Sequence, residues 1–353
     1  EHDYKYTKKI FQEEFNYELE SKYNVLCIVG SGSMGQVYKI QNKITNKYYA
    51  LKVLHPNIYY EFNVFYRIFN FICMIIDIKN FIPVNDFNTF FNGLKIQMDL
   101  RNEANNMSEF KQIHDDSLYL IPQVVNSSKN ILLMTYLESE SKLNISDYKQ
   151  NNIFLKLLLY NLIGCYYGIC HSDLHKGNWG IQKDKIIIYD FGYCIRYKFS
   201  ESQIIENIIL SSQKHLDFSE LVRSLCKYNK KDESIVDEYE LYYNKYIKKD
   251  DYLLDNIIKN LMDFIKKKQI YLTTDCLNAL ITCSNIENIM NQDLIKLDNP
   301  YINEIITGEL IDICECYKVF PEYLTYLKKK YIRYKDNSIL FSNKFDFLKD
   351  KVS

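Results

Sequence analysis

Two short segments constrain the fold of this chain more than any other feature. Residues 171–178 have the sequence HSDLHKGN, and Asp190 begins the tripeptide DFG. The apolar run at 186–189 predicts a buried strand that ends at Asp190. The pattern HxDLxxxN followed by DFG therefore places two carboxylates, Asp173 and Asp190, and the Asn178 amide on neighbouring loops.

These three side chains suit phosphoryl transfer. A carboxylate beside an attacking hydroxyl positions it and accepts its proton, and Asp173 fits that role. Mg²⁺ prefers few carboxylates together with phosphate oxygens and water, and Asn178 and Asp190 fit as its ligands. The rival interpretation takes His171 and His175 as zinc ligands, but it needs a helix and further ligands that we do not find in the sequence.

A glycine-rich segment with the sequence GSGSMGQV lies at residues 30–37, between two predicted strands. Glycines let a backbone approach phosphates closely, and exposed N–H groups bind the anion. A strand rather than a helix follows the glycines, which favours a loop over phosphates rather than a Rossmann turn. Taken alone, the motif is equally typical of a hairpin turn. The candidate nucleotide contacts here are Gly30, Ser31, Gly32, Ser33, Gly35 and Val37.

A lysine and a glutamate complete the set of candidates. Lys52 lies in the sequence ALKV, which resembles the VAIK strand whose lysine pairs with the α- and β-phosphates. Glu103 lies on a predicted helix and is the candidate partner of Lys52. Alone, each has an ordinary alternative, a solvated strand lysine or an exposed helix glutamate. Their order along the chain with the other motifs favours the functional interpretation.

Composition excludes several classes of protein. The chain has 353 residues, 47% of them hydrophobic and 25% charged, close to the globular average. Its 44 Lys and Arg against 45 Asp and Glu give a net charge of −1, so no nucleic-acid partner is expected. The ten cysteines form no CxxC pair, which predicts buried, reduced thiols in a cytoplasmic protein. The chain begins at Glu1, so a missing leader sequence stays an open alternative.

The most apolar stretch, residues 62–78, contains four polar residues and falls short of the roughly 20 apolar residues that span a bilayer. We therefore expect no transmembrane segment. We interpret the stretch as an amphipathic or buried helix and expect it to pack in the core, with peripheral contact to a membrane or a partner as the alternative. His55, His114 and His215 are isolated in the sequence and are interpreted as structural.

The hydrophobic pattern predicts a sheet-rich first half and a helical second half. Strands at 24–30, 35–41 and 47–53 should form an antiparallel meander. Helices at 58–79 and 95–113 and strands at 118–125 and 130–137 follow, and successive helices begin at Ser200. This order is typical of an α+β arrangement.

The motifs resemble those of UbiB-type atypical kinases, also called aarF-domain or ADCK-like kinases, over about residues 26–196. SMGQV is similar to the family's SIGQV, LKVLHPN to VAVKVQHPG, and HSDLHKGN to HADPHPGN, including His175. The long interval between Lys52 and Glu103 suits the family's insertion before its glutamate helix.

Three features depart from that family. The nucleotide loop is glycine-rich rather than alanine-rich, residues 1–23 contain no KxGQ element, and QMD stands at 97–99 in place of ExD. These departures favour ordinary Mg·ATP use and a missing or reduced inhibitory lid. HxDLHxGN is also similar to aminoglycoside and choline phosphotransferases, which lack SMGQV and rank second.

The resemblance implies a bilobal protein-kinase-like fold. Its N-lobe, residues 1–137, would hold an antiparallel sheet with inserted helices, and its helical C-lobe would span 138–353. We expect an ATP- and Mg²⁺-dependent phosphotransferase or ATPase that transfers the γ-phosphate to a hydroxyl acceptor or water. The adenine should lie near Ala50 and a hinge at Met134, Tyr136 and Leu137. The acceptor stays open between a small molecule, a lipid-like molecule and a protein. An ATP-binding regulator without a separate acceptor is a further alternative.

Overall fold

The computed structural model describes residues 1–75, 87–114, 118–140, 167–175, 177–183, 185–196, 218–247 and 254–287, with isolated positions at 156–157, 160–161, 164, 204, 207–208, 311 and 315. Within these ranges the fold is mixed α+β, as predicted. The predicted helix start at Ser200 and the end of the helix predicted at 58–79 lie outside the described residues.

The described residues contain ten strands in three sheets. The strands are β1 (Tyr23–Ser31), β2 (Gly35–Asn42), β3 (Tyr48–Leu54), β4 (Tyr119–Leu120), β5 (Val124–Ser127), β6 (Ile131–Thr135), β7 (Ile169–His171), β8 (Trp179–Gln182), β9 (Lys185–Ile188) and β10 (Cys194–Arg196). The largest sheet has the order β1-β2-β3-β6-β5, and every pair in it is antiparallel. The predicted meander is therefore confirmed as β1–β3.

The described helices are α1 (Tyr4–Phe15), α2 (Leu19–Lys22), α3 (Ile58–Ile75), α4 (Phe87–Ile96), α5 (Leu100–Ile113), α6 (Ser219–Tyr228), α7 (Ser234–Tyr242), α8 (Leu254–Lys267) and α9 (Thr274–Glu287). A short π-helical turn, Tyr243–Ile247, continues α7. The interior faces of α6 to α9 share one apolar core with the small sheets.

Two predicted elements differ from the structure. The helix expected at 95–113 corresponds to α5, which begins at Leu100 because Asp99 is extended and its side chain caps α5 by accepting a hydrogen bond from the Arg101 amide. Residues 95 and 96 instead end α4, most of which lies before the predicted span. The strand expected at 118–125 consists of β4 and β5. Pro122 lies between them and has no N–H to continue a ladder. As a result β4 joins β9 in the small β4-β9-β8 sheet, while β5 joins the large sheet.

Helices cover both faces of the large sheet. Side chains alternate along a strand, so Leu51 and Val53 of β3 face one way and Ala50 and Lys52 the other. Leu51 and Val53 share an apolar cluster with Phe11 of α1. Ala50 belongs to the main core, together with α5. The strand that carries Lys52 is thus fixed from both sides.

The prediction that residues 62–78 pack in the core is wrong for one face of α3. Phe62 and Tyr66 pack on Phe91 of α4. The opposite face is exposed, with Phe71 at 63% and Met74 at 86% of their free accessibility. Two of the thiols that we expected to be buried, at positions 27 and 73, are also exposed. No helix in the described residues is long and apolar enough to cross a membrane.

One buried histidine makes stability depend on pH. The His114 ring is 4% exposed, stacks with the rings of Phe110 and Tyr160, and has no side-chain hydrogen bond among the described residues. Burial lowers the pKa of His114 to about 3. The unfolded chain therefore takes up a proton below pH 6.5 that the folded protein does not, and stability falls as the pH falls.

The unfolding free energy of the wild-type protein should fall between pH 7 and pH 5, and His114 contributes ~1.4 kcal/mol to this fall for each pH unit below 6.5. We predict that the fall is about 2 kcal/mol smaller in His114→Phe, which has no imidazole at this position. Urea unfolding of both proteins at the two pH values measures this difference. Other buried histidines titrate alike in both proteins and cancel. Equal losses in the two proteins would mean that the His114 ring is solvated or hydrogen-bonded in the folded state.

Candidate active site

A cavity of about 670 Å³ lies between the large sheet and the loops that follow β7 and β9. It is within the usual size of a small-molecule site. The glycine-rich loop forms one side, and the HSDLHKGN loop and DFG form the opposite side. All the predicted site residues line this cavity: Gly30, Ser31, Gly32, Ser33, Gly35, Val37, Ala50, Lys52, Glu103, Met134, Tyr136, Leu137, Asp173, Asn178 and Asp190.

Lys52 is the central charge of the cavity. Its Nζ donates to Glu103 Oε1 and Oε2 at 2.9 and 2.8 Å, and to Asp190 Oδ2 at 2.8 Å. Glu103 is 2% exposed, whereas the Asp190 side chain is 37% exposed and faces the cavity. One ammonium therefore joins β3, α5 and the DFG segment.

Burial and neighbouring charges shift the pKa values of Lys52, Glu103 and Asp190 in different ways. Burial alone lowers the pKa of Lys52, but the charges and hydrogen bonds of Asp190 and Glu103 outweigh it and raise that pKa. Burial raises the pKa of Glu103. Burial also acts to raise the pKa of Asp190, yet Lys52 and the Gly192 amide overcome it and lower that pKa. Asp190 is thus the accessible one of the two carboxylates that bind Lys52, and the one suited to a cation.

The HSDLHKGN loop holds Asp173 and Asn178 together. Asn178 Nδ2 donates to the Asp173 carbonyl at 2.8 Å and to Asp173 Oδ2 at 3.3 Å. This use of the amide nitrogen leaves Asn178 Oδ1 as the oxygen suited to a cation. His175 Nε2 lies 3.7 Å from Asp173 Oδ2. Burial, opposed by His175 and helped by Asp190, raises the pKa of Asp173, in the direction expected for a general base.

His171 connects this loop to DFG, a role that the motif alone did not assign. The Asp173 amide donates to His171 Nδ1 at 3.2 Å, and His171 Nε2 bonds to the Asp190 carbonyl. These contacts require a neutral ring with its proton on Nε2. Burial lowers the pKa of His171 to about 4, which maintains that state. The zinc interpretation of His171 and His175 gains no support, because the described residues hold no group of three metal-ligating side chains.

Helix α5 fixes DFG at a second point. Asn106, one turn after Glu103, donates from Nδ2 to the Phe191 carbonyl at 2.8 Å. The Gly192 amide donates to Asp190 Oδ1 at 2.8 Å. Residues three apart lie on the same helix face, so α5 contacts Lys52 and the DFG backbone from one side. Asn106 was missed because an asparagine within a helix has no signature of its own.

The far end of the cavity is apolar. Ala50 of β3 pairs with Met134 of β6, and Val37 of β2 lies beside them. These three apolar side chains line the same cavity as Tyr136, and small-molecule sites are lined mainly by side chains of this kind. Several lining residues were not predicted, because no local motif marks them. They include Leu54, Gln97, Pro122, Glu138, Ser139, Tyr189 and Tyr193.

The fold and the site together define a protein-kinase-like protein. A family model for the ABC1 atypical kinase-like domain matches residues 1–224. That span is more than half of the chain, and the chain belongs to this family of atypical kinases. The predicted UbiB/aarF relationship is therefore confirmed. A comparison with curated proteins found no match.

The three glycines of the loop differ in what surrounds them. A Cβ at Gly35 would lie 2.6 Å from the Val53 carbonyl oxygen, because β2 and β3 approach closely there. A Cβ at Gly30 or Gly32 would meet no atom within 4 Å. Gly35 is thus needed for packing, while Gly30 and Gly32 leave room in the cavity.

We predict that Gly35→Ala lowers the unfolding free energy by about 1–3 kcal/mol, the usual cost of overpacking. Gly30→Ala is the matched control, and its unfolding free energy should stay within about 1 kcal/mol of wild type. Urea unfolding measures both. A Gly35→Ala protein as stable as Gly30→Ala would show that β2 and β3 are further apart than described.

Proposed function

We propose that this protein is an ATP- and Mg²⁺-dependent phosphotransferase that transfers the γ-phosphate to a hydroxyl acceptor, or to water. The observation that carries the proposal is the bond of Lys52 Nζ to both Glu103 and Asp190 in a cavity roofed by a glycine-rich loop. We infer that residues 1–137 form an N-lobe and that the C-lobe begins at 138.

Each side chain has a role that follows from its position. The glycine-rich loop covers the phosphates, and the Lys52 ammonium neutralises charge on the α- and β-phosphates. Glu103 orients Lys52, because its buried carboxylate binds the ammonium through both oxygens. Ala50, Val37 and Met134 contact the adenine.

Asp173 positions the attacking hydroxyl and accepts its proton. Its side chain is 43% exposed and opens to the cavity, so an acceptor can reach it. Asn178 Oδ1 and Asp190 are the oxygen ligands for Mg²⁺, which when bound offsets the negative charge of the phosphates. With Glu103, Asp173 and Asp190 against Lys52, the formal charge of the site is negative, which favours a divalent cation.

The group that receives the phosphate is proposed to be a hydroxyl. The open position of Asp173 suits a hydroxyl on a small molecule, a lipid-like molecule or a protein side chain. Water in the same position would give an ATPase. Acceptor-dependent release of ADP separates these outputs, since hydrolysis alone does not respond to an added hydroxyl compound.

We predict that Mg·ATP raises the melting temperature of the wild-type protein, because a ligand at 100 times its Kd stabilises the folded state by about 2.7 kcal/mol. Asp190→Asn should respond much less, since it loses a charged metal ligand. Asp173→Asn should retain the shift but lose ADP formation by a factor of about 100 or more. Thermal-shift titration and an ADP-release assay measure the two effects.

Asp263→Asn is the matched control. Asp263 is exposed on α8, outside the cavity, so this variant should equal wild type in both assays. If folded wild-type protein shows no shift with Mg·ATP, the proposed function is wrong. If Asp173→Asn keeps full turnover, its assignment as the base is wrong.

A further inference from the structure

The tip of the glycine-rich loop is held by a residue outside the cavity. His55 follows β3, three residues after Lys52. Its amide donates to the Met34 carbonyl at 2.9 Å, and its Nε2 bonds to the Gly32 carbonyl at 3.0 Å. Both carbonyls therefore point to His55, which does not line the cavity. Carbonyl oxygens turned away from bound phosphates avoid repulsion between negative charges.

The His55 ring is itself held by the N-terminal segment. His55 Nδ1 lies 2.8 Å from His2 Nδ1, and His2 Nε2 lies 2.8 Å from Thr7 Oγ1 on α1. Thr7 Oγ1 in turn lies 2.9 Å from the Tyr38 hydroxyl of β2. Gln36 Nε2 donates to that hydroxyl. A continuous chain of hydrogen bonds thus joins the loop tip to the sheet interior.

One assignment of donors and acceptors fits all of these hydrogen bonds. Gly32 offers only a carbonyl, so His55 Nε2 carries the proton and its Nδ1 accepts. His2 Nδ1 must then donate, and His2 Nε2 accepts from Thr7 Oγ1. Thr7 accepts from the Tyr38 hydroxyl, which accepts from Gln36. Every donor meets an acceptor when both imidazoles are neutral.

The series of hydrogen bonds ends at buried side chains in α1 and β2. Thr7 and Gln36 are fully buried, and Tyr38 is 2% exposed. Burial, together with the nearby His55, lowers the pKa of His2 to about 4, which keeps its ring neutral at pH 7. The loop tip is therefore tied to a buried anchor rather than to a mobile surface group.

We propose that His55 is a positioning residue for the nucleotide phosphates, because its ring holds the Gly32 carbonyl at the loop tip. The proposal deepens the function proposed above and rests on it. Loss of the Gly32 contact should let the loop tip rotate and should weaken nucleotide binding. The chemical step should be little affected, because His55 contacts neither Asp173 nor the metal ligands.

Two substitutions separate the two contacts of the ring. In His55→Gln the side-chain amide nitrogen can occupy the place of Nε2 and retain the bond to Gly32. In His55→Asn the amide reaches only the place of Nδ1, so the bond to Gly32 is lost. Asn42→Ala is the control for general weakening of the sheet. Asn42 Oδ1 accepts from Ile44 and Thr45 in the turn at the other end of β2.

The experiment combines calorimetric titration with Mg·ATP, steady-state ADP formation, hydrogen exchange of the amides at 30–35 and the melting temperature. His55→Asn should raise Kd and KM for Mg·ATP about three- to tenfold, with kcat within about twofold of wild type. Its loop amides should exchange faster, with or without nucleotide. His55→Gln should restore Kd to within about twofold. Asn42→Ala should lower the melting temperature without changing Kd.

Three outcomes would overturn the proposal. One is a His55→Asn protein with wild-type Kd and wild-type exchange at the loop. Another is a rise in Kd that His55→Gln does not reduce. The third is an equal rise in Asn42→Ala, which would indicate general destabilisation. If wild-type protein binds no Mg·ATP, the proposed function fails instead, and the exchange rates still decide whether His55 holds the loop.

Discussion

The bond of one lysine to two carboxylates is the interaction on which the site depends. Lys52 comes from the middle of the sheet, Glu103 from α5 and Asp190 from the end of a strand in another sheet. Burying these charges costs free energy that only their mutual contact offsets, and removing one partner of such a pair costs about 3–5 kcal/mol. This cost keeps β3, α5 and the DFG segment in fixed relative positions, so the cavity between them keeps its shape.

The rest of the described fold supports that bond. Helix α1 covers one face of the sheet, and α5 covers the other. Asn106 and His171 bind the carbonyls of Phe191 and Asp190, so the backbone that carries the Asp190 side chain is fixed beside Lys52. Buried polar networks of this kind are rigid only when every member has a partner. The site is thus preorganised by groups that never face a substrate.

Part of the cavity lining could be predicted from the sequence, because those residues occur in ordered motifs. Gly30, Lys52, Glu103, Asp173 and Asp190 were all predicted from order and spacing, and the structure brings them to one cavity.

The predictions that failed concern element boundaries, the burial of α3 and the partners of His55. Each of these depends on contacts between residues that the local sequence pattern does not show. A cap at Asp99 and a proline at 122 set boundaries that periodicity alone does not show. The apolar face of α3 is exposed, although composition favoured the core. His55 was taken as isolated, because its partners His2 and Gly32 are distant in the chain.

A crystal structure of the protein with Mg²⁺ and a non-hydrolysable ATP analogue tests the central claim most directly. The account predicts phosphates beneath residues 30–35, Mg²⁺ on Asn178 and Asp190, and Lys52 bound to Glu103 and a phosphate oxygen. An analogue bound elsewhere, or one in the cavity with Lys52 away from both Glu103 and the phosphates, would contradict it.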